Sequence, residues 1–452
     1  MAEIVEAQIG VAAGLRPGFE RHRLRAGHVG AKAAEKDHGR GPSYRSCVGD
    51  DIAIGPAQML HPTFAAHDMV PATITESLPT SMPAPKLLQI VPSLSGSVAR
   101  ATLDTARMVI GAGGSAVVAS PGGAMLPDLL RLRGRHVDVA VTRYPLRSRF
   151  GLATRVRDFD PNLLQSRSPS ASGIARALAR RLKLKWIAAL HQPFAATGLM
   201  QRSLERRQSR ADAVVAVSEH VAQDFRRRFP AIVDRLEVIP TGIDLDRFDP
   251  AVVRAERVIK LAAELRIPDG AHVVLYPGRF VEDRGQKTLI DAVRKLGRED
   301  LFCLFLGSTD EPTSLEKELE RAIEQADLNG KVQIGPYVED IPAAYMLADV
   351  VVATGGARQG FSRTMIEAQA MGRPVVCEQG GGAAEALRQG VTGWSAPEGD
   401  ASGLAQAIST ALSLSVDRRA ELARTAQDHV RARYGLAQTN RRLLQLYERL
   451  IG

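Results

Sequence analysis

The sequence predicts an α/β protein of two doubly wound domains, each a parallel sheet covered by helices on both faces, with the two domains facing a central cleft. Three observations predict it. At 452 residues the chain exceeds what one core ordinarily organises. From residue 86 onward, short apolar runs of strand length alternate with stretches of helical period, the pattern of a parallel sheet with crossover helices. The alternation is interrupted at residues 240–250, PTGIDLDRFDP, whose turn-forming ends mark a linker.

Residues 1–81 show no sustained period of 2 or 3.6, and residues 51–81 carry four prolines among Ser, Thr and Ala, so this stretch reads as a disordered or non-native leader before Met82. The first domain, 82–240, then runs strand 87–91, helix 98–110, strand 116–119, helix 125–132 and strand 137–141. It continues through helix 149–157, strand 163–166, helix 174–182, strand 186–190, helix 200–207, strand 213–217, helix 221–229 and strand 236–239. The second, 241–434, reads strand 272–276, helix 287–296, strand 301–306, helix 314–326, strand 332–334 and helix 343–347. Strand 350–353, a helix opening near Ser362 and strand 374–377 complete its pattern, and a helical tail follows over 403–414, 420–434 and 438–450. Ligands of doubly wound sheets lie beyond the carboxyl ends of the strands, so two such domains face each other across their loops.

No apolar run approaches the roughly 20 residues that span a bilayer, and the N-terminus lacks the basic and apolar regions of a signal peptide, so the expected location is cytoplasmic. Cys47, Cys303 and Cys377 are odd in number and far apart, which argues for buried thiols over a disulfide or metal framework. Charge is uneven: residues 82–240 carry 25 Lys+Arg against 11 Asp+Glu, whereas 241–452 carry 26 against 30. The excess is densest at Arg176, Arg180, Arg181, Lys183 and Lys185, at Arg202, Arg206, Arg207 and Arg210, and at Arg226, Arg227 and Arg228. Basic helices with an apolar side, here Ile174, Leu178, Leu199 and Leu204, suit an anionic membrane surface on the inner face of the cytoplasmic membrane. Nucleic acid is disfavoured: aromatic residues are only 5% of the chain, too few for stacking platforms, and there is no recognition helix.

The densest chemistry lies in residues 353–385, ATGGARQGFSRTMIEAQAMGRPVVCEQGGGAAE. Gly360-Phe361-Ser362 bends the backbone into a helix whose first turn leaves N–H groups free, so Ser362, Arg363 and Thr364 form an anion site suited to a diphosphate. Glu367, one turn on, is placed for hydroxyls. The order strand, Gly-Phe-Ser loop, helix, strand, Gly-Gly-x-x-Glu closely resembles the donor-binding signature of the family 4 retaining glycosyltransferases of bacterial cell-envelope polysaccharide and lipopolysaccharide type.

The resemblance, over about residues 86–450, implies the GT-B fold of two Rossmann-like domains, with residues 435–452 crossing back onto the first domain through Leu443, Leu446, Tyr447 and Leu450. Gly278-Arg279 and Arg284 resemble the element whose cations hold the donor diphosphate, with Arg284 where the family usually has Lys. Glu367 resembles the residue that binds the nucleotide ribose. Gln359 stands where the family has a glutamate against the donor sugar; the amide keeps an acceptor but loses a charge near a developing oxocarbenium ion. His191, closing a strand, resembles a histidine that reaches the donor sugar, and Gly96-Ser97 resembles an acceptor or pyrophosphate loop whose second glycine is here serine.

Two motifs are set aside. Asp244-Leu245-Asp246 has the form of a metal-binding Asp-x-Asp but lies in the linker, so no metal is expected. Gly111-Ala112-Gly113-Gly114 follows a helix and precedes a strand, the reverse of a dinucleotide fingerprint. The sequence thus predicts a metal-independent, cofactor-free retaining glycosyltransferase moving a sugar from a nucleotide diphosphate to a saccharide or lipid-linked acceptor. The alternatives are another enzyme of the fold, a phosphorylase or epimerase, and a basic nucleic-acid-binding protein.

Overall fold

A computed structural model describes residues 83–141, 147–194, 199–278, 280–282, 284–308 and 313–452. The leader, Met82, Cys47 and Arg279 lie outside the described residues. In chain order the first part contains β1 (Lys86–Ile90), α1 (Gly96–Gly111), β2 (Ser115–Ser120), α2 (Leu126–Arg131), β3 (Arg135–Asp138), α3 (Arg147–Arg157), β4 (Leu163–Ser166) and α4 (Pro169–Leu182). It continues with β5 (Lys185–Leu190), α5 (Leu199–Gln208), β6 (Ala213–Ala216), α6 (Glu219–Arg228) and β7 (Leu236–Val238). The second part runs α7 (Ala255–Glu264), β8 (His272–Pro277), α8 (Gln286–Leu296), β9 (Leu301–Ser308), α9 (Ser314–Gln325), β10 (Val332–Pro336), α10 (Ile341–Leu347) and β11 (Val350–Ala353). Then come α11 (Arg363–Ala370), β12 (Val375–Glu378), α12 (Gly382–Glu385), β13 (Gly393–Ala396), α13 (Ala401–Leu412), α14 (Val416–Tyr434) and α15 (Leu436–Ile451).

These strands make two sheets, of order β3-β2-β1-β4-β5-β6-β7 and β10-β9-β8-β11-β12-β13, with every pairing parallel. Burial on both faces explains why the strands are nearly all apolar: β1 exposes only Lys86, and β4, β6, β11 and β12 are wholly buried. Each order reverses once, between β1 and β4 and between β8 and β11, which opens a crevice at the carboxyl end of each sheet.

Local chemistry sets the helix ends. α4 starts five residues before the predicted 174, because Ser168 Oγ accepts from Ala171 N at 3.1 Å and Pro169 occupies the first turn, where its missing N–H costs nothing. Its small residues 170–173 permit close packing on α5, where Ser172 Oγ donates to Leu204 O at 3.3 Å. β3 lies two residues before the predicted 137–141. Helix α7 and strand β13 were not anticipated; α7 buries Val258, Leu261 and Ala262 in the core that also holds Ala343 and Tyr345. The Gly111–Gly114 run closes α1: Gly114 N donates to Val109 O at 2.9 Å and Gly113 N to Ile110 O at 3.0 Å. Asp244 uses its carboxylate on the linker's own turn, accepting from the backbone N–H of Asp246 and Arg247. Cys303 and Cys377 are buried free thiols.

Several contacts join the two sheets. α15 lays Leu443, Leu446 and Tyr447 against Leu87, Leu163, Ile187 and Val215 of the first sheet, the crossover the resemblance implied. The linker is bridged to the α14–α15 junction by Ile243 N donating to Tyr434 O at 2.9 Å and Leu436 N to Ile243 O at 2.8 Å. Finally, Glu385 accepts from the backbone N–H of Glu219 and His220, so a carboxylate of the second part caps the N-terminus of α6 in the first.

The basic segments behave differently from one another. Arg226, Arg227 and Arg228 pair with Glu219, Asp224 and Glu205, so the sequence-level cluster on α6 is largely internally neutralised. Arg176, Arg180, Arg207 and Arg210 instead gather from α4, α5 and the turn after α5. The pKa of Arg176 is lowered first by partial desolvation and then by these three neighbours.

Candidate functional site

The loops at both switch points line one cleft of about 320 Å³. After β8 come Gly278 and Arg284; after β11 come Gln359, Phe361, Ser362, Arg363, Thr364 and Glu367; from the first sheet come Gly96, Ser97 and Arg100. Residues 260 positions apart in the chain are therefore neighbours because each follows a central strand of its sheet.

On the second sheet's side, Ser362 is the cap residue of α11 but its side chain makes no capping bond, which leaves the first-turn N–H groups of the helix without that partner. Ser362 is 2% exposed and Gln359 8%, yet among the described residues neither Ser362 Oγ nor Gln359 Oε1 has a hydrogen-bond partner. A buried polar atom left unpaired costs about 1–3 kcal/mol, so two in one cleft mark a place built for a ligand's hydrogen bonds. Arg284 holds its loop by its carbonyl, which accepts from Tyr276 Oη at 3.1 Å and from the hydroxyl of Thr354. Among the described residues no carboxylate pairs with its guanidinium. Gly360 sits where a Cβ would fall inside the carbonyl oxygen of His191, so only glycine lets the Gln359–Ser362 loop press against the strand end of the first sheet. Ser218 Oγ then donates to Gly360 O at 2.5 Å.

Glu367 is held in place by Tyr345 Oη, donating at 2.9 Å, and by Arg363 Nε at 3.1 Å. Burial and the Glu367 charge push the Tyr345 phenol well above its ordinary pKa, so it stays a donor. Arg363 also reaches Asp104 on α1 at 3.5 Å, an ion pair that crosses the cleft. Burial raises the pKa of Asp104 against the opposing pull of Arg363, Arg100 and Arg107. Burial alone would lower the pKa of Arg363, but Glu367 and Asp104 raise it.

The imidazole of His191 lies in an adjoining smaller cavity, about 40 Å³, lined also by Asp104, Arg167, Thr241 and Asn440. Its backbone carbonyl is the atom that a Cβ on Gly360 would meet first. Removal from water, and then the Arg167 charge, depress its pKa to about 3, so the ring is neutral.

Sequence reading missed Arg100, Asp104, Tyr345 and Arg167. Arg100 and Asp104 were legible as helix positions four and eight residues after Gly96, on the face that starts at the loop. Arg167 directly follows β4, the switch-point partner of β1, a position visible only once strand order is known. Tyr345 lies in the apolar run IPAAYML and reads as core. Chemically, the cleft offers a cation and helix N–H groups for an anion, and the unpaired Gln359 oxygen and one oriented carboxylate for hydroxyls attached to it.

Two family models match the chain: "Glycosyl transferases group 1" over residues 258–429 and "Glycosyltransferase Family 4" over residues 98–247. A D-inositol 3-phosphate glycosyltransferase of Xylanimonas cellulosilytica is 33% identical over 186 residues, 40% of this chain and 44% of that protein. Spore coat protein SA of Bacillus subtilis is 25% identical over 251 residues, 52% of this chain and 64% of its own. The chain spans about half the length of the curated relatives it matches. Among solved structures, a glycosyltransferase from Rickettsia africae superposes with a TM-score of 0.73 at 23% identity over 81% of this chain and 99% of that one. Anabaena HepE in complex with UDP-glucose also gives 0.73, at 21% identity over 81% and 100%. At these identities the structures speak for the fold, two doubly wound sheets of the GT-B kind.

Proposed function

We propose that this chain, which belongs to the glycosyltransferases of group 1 and family 4, transfers a sugar with retention from a nucleotide diphosphate to a saccharide or lipid-linked acceptor of the cell envelope. The observation that carries the reading is the pair of unpartnered buried atoms, Gln359 Oε1 and Ser362 Oγ, beside Arg284 at the second sheet's switch point. A structural neighbour described with UDP-glucose supports a nucleotide-sugar donor.

In this reading Arg284 and the α11 N-terminus hold the diphosphate, with Arg279 completing the clamp, and Glu367 takes the ribose hydroxyls. The bond from the sugar's anomeric carbon to the diphosphate breaks while the acceptor oxygen bonds to the same face. The acceptor's proton passes to the departing diphosphate oxygen. Catalysis then rests on stabilising that leaving group with fixed cations and N–H groups, a role that asks for no metal or cofactor. The acceptor enters past Gly96, Ser97 and Arg100. The Arg176, Arg180, Arg207 and Arg210 cluster docks the enzyme on the inner face of the cytoplasmic membrane, where a lipid-linked acceptor would be met.

Thermal unfolding in a panel of UDP-, GDP- and ADP-sugars tests the donor. At least one should raise the midpoint of the full chain, and Arg284→Ala should abolish that rise without lowering the ligand-free midpoint. If no nucleotide sugar shifts the midpoint or is consumed, the reading fails.

A further inference from the structure

Arg167 is 6% exposed and, among the described residues, forms no ion pair; every group it hydrogen-bonds is a neutral acceptor. Its Nε donates to Gln89 Oε1 at 3.0 Å, and one terminal nitrogen donates to Thr105 Oγ1 at 2.6 Å and to Gln165 Oε1 at 3.2 Å. The other terminal nitrogen lies 3.4 Å from His191 Nε2.

The partners are oriented for this. Gln89 gives its own N–H to Thr102 O at 3.1 Å, Thr105 gives its hydroxyl proton to Ala101 O at 2.9 Å, and Gln165 Oε1 also accepts from Tyr447 Oη at 3.1 Å. Each therefore turns a lone pair toward the guanidinium. A guanidinium has five donors and no acceptor, so the imidazole nitrogen facing it must present a lone pair too. With Nε2 committed, the proton of a neutral ring resides on Nδ1.

We propose that Arg167 is a positioning residue that holds His191 as the neutral Nδ1–H tautomer, so that the imidazole serves the acceptor-side cavity only as a hydrogen-bond donor. The titratable groups lining that cavity are Asp104, Arg167 and His191, and Asp104 is drawn toward Arg363. A second positive charge on the ring, beside Arg167, is thereby avoided. Tyr447 extends the arrangement to the crossover helix, since its hydroxyl helps fix the Gln165 oxygen that Arg167 uses. The link to transfer chemistry rests on the function proposed above; the tautomer itself does not.

Long-range proton–nitrogen spectra of the full chain labelled with nitrogen-15 histidine, without substrate, test the tautomer, with His191 assigned by its loss in His191→Gln. The expected result is a protonated Nδ1 and a bare Nε2, unchanged between about pH 5 and 8. A proton on Nε2, or titration in wild type near about 6.5, overturns the proposal. In Arg167→Gln the ring's pKa should rise from about 3 yet stay below the free value of about 6.5, since burial still opposes the charged form, and kcat for sugar transfer should fall about tenfold with an acid limb while the donor KM holds. Arg167→Lys, which keeps a cationic donor, should restore part of kcat and the flat profile; an Arg167→Gln enzyme with wild-type pH dependence counts against the proposal. Should Arg167→Gln fail to fold, the wild-type spectrum still decides. Should wild type transfer no sugar, the function falls while the spectrum judges the tautomer.

Discussion

Gln359 illustrates what a single residue decides in this cleft. Its backbone is tied down, with N donating to Gly356 O at 3.1 Å and O accepting from Gly382 N at 2.8 Å, while its side-chain oxygen is buried and unpaired. Gln359→Glu would put a carboxylate where no protein donor meets it, so its charge would be expressed mainly when a cationic sugar forms. Turnover should change more than affinity for free nucleotide, measured by kcat against nucleotide Kd. Arg284→Ala should lose a charge-assisted contact of about 1.5–3 kcal/mol, roughly 10–100-fold in kcat/KM, with the ligand-free midpoint intact. His191 adds a pH signature. A base whose folded pKa is depressed is protonated first in the unfolded chain, so its stabilising contribution is complete above the unfolded value of about 6.5 and is lost as pH falls toward about 3. By about pH 5.5 that loss is about 1.4 kcal/mol, and His191→Gln should flatten this acid-side slope in urea unfolding.

At the scale of elements, the strands and most helices were legible because buried parallel strands are apolar runs and their crossover helices keep a 3.6 period. What escaped did so for physical reasons. α7 follows a turn-rich linker and starts without a side-chain cap, so no signal announced it. The first turn of α4 hid behind Pro169 and Gly173, residues that read as a loop until Ser168 is recognised as the cap. Of the site, the Gln359–Glu367 stretch was readable since one loop and one helix carry it, whereas the Arg167 group draws on α1, β1, β4, β5 and α15 and exists only in three dimensions. Gly360 is where two such elements meet. Gly360→Ala would drive a methyl into the His191 carbonyl and strain the loop's bond with Ser218. Overpacking of this kind costs about 1–3 kcal/mol, so the urea midpoint should fall, and donor binding should weaken with it because Ser362 moves with the loop.

For the whole molecule, the distribution of charge argues for where the protein works. The excess of 14 positive charges over residues 82–240 is not spread evenly once folded. Side chains on α6 direct theirs to Glu219, Asp224 and Glu205, while Arg176 is opposed by burial and by the charges of Arg180, Arg210 and Arg207. Like charges held close are relieved by an anionic surface, and each cation near an anionic leaflet contributes about 1 kcal/mol, so four would give about 4 kcal/mol, roughly a thousandfold preference over neutral lipid. No helix of the described residues is long and apolar enough to cross a membrane. Binding through these charges would be reversible by salt. In co-sedimentation the protein should pellet with phosphatidylserine-containing vesicles, remain in solution with pure phosphatidylcholine, and be released at roughly 1 M salt, where screening shortens to about 3 Å. Replacing Arg176, Arg180, Arg207 and Arg210 by glutamine should abolish pelleting, whereas replacing Arg226 and Arg227, whose charges are already paired, should leave most of it. Equal binding to both vesicle types, or loss from the α6 pair alone, would place the docking surface elsewhere or remove it.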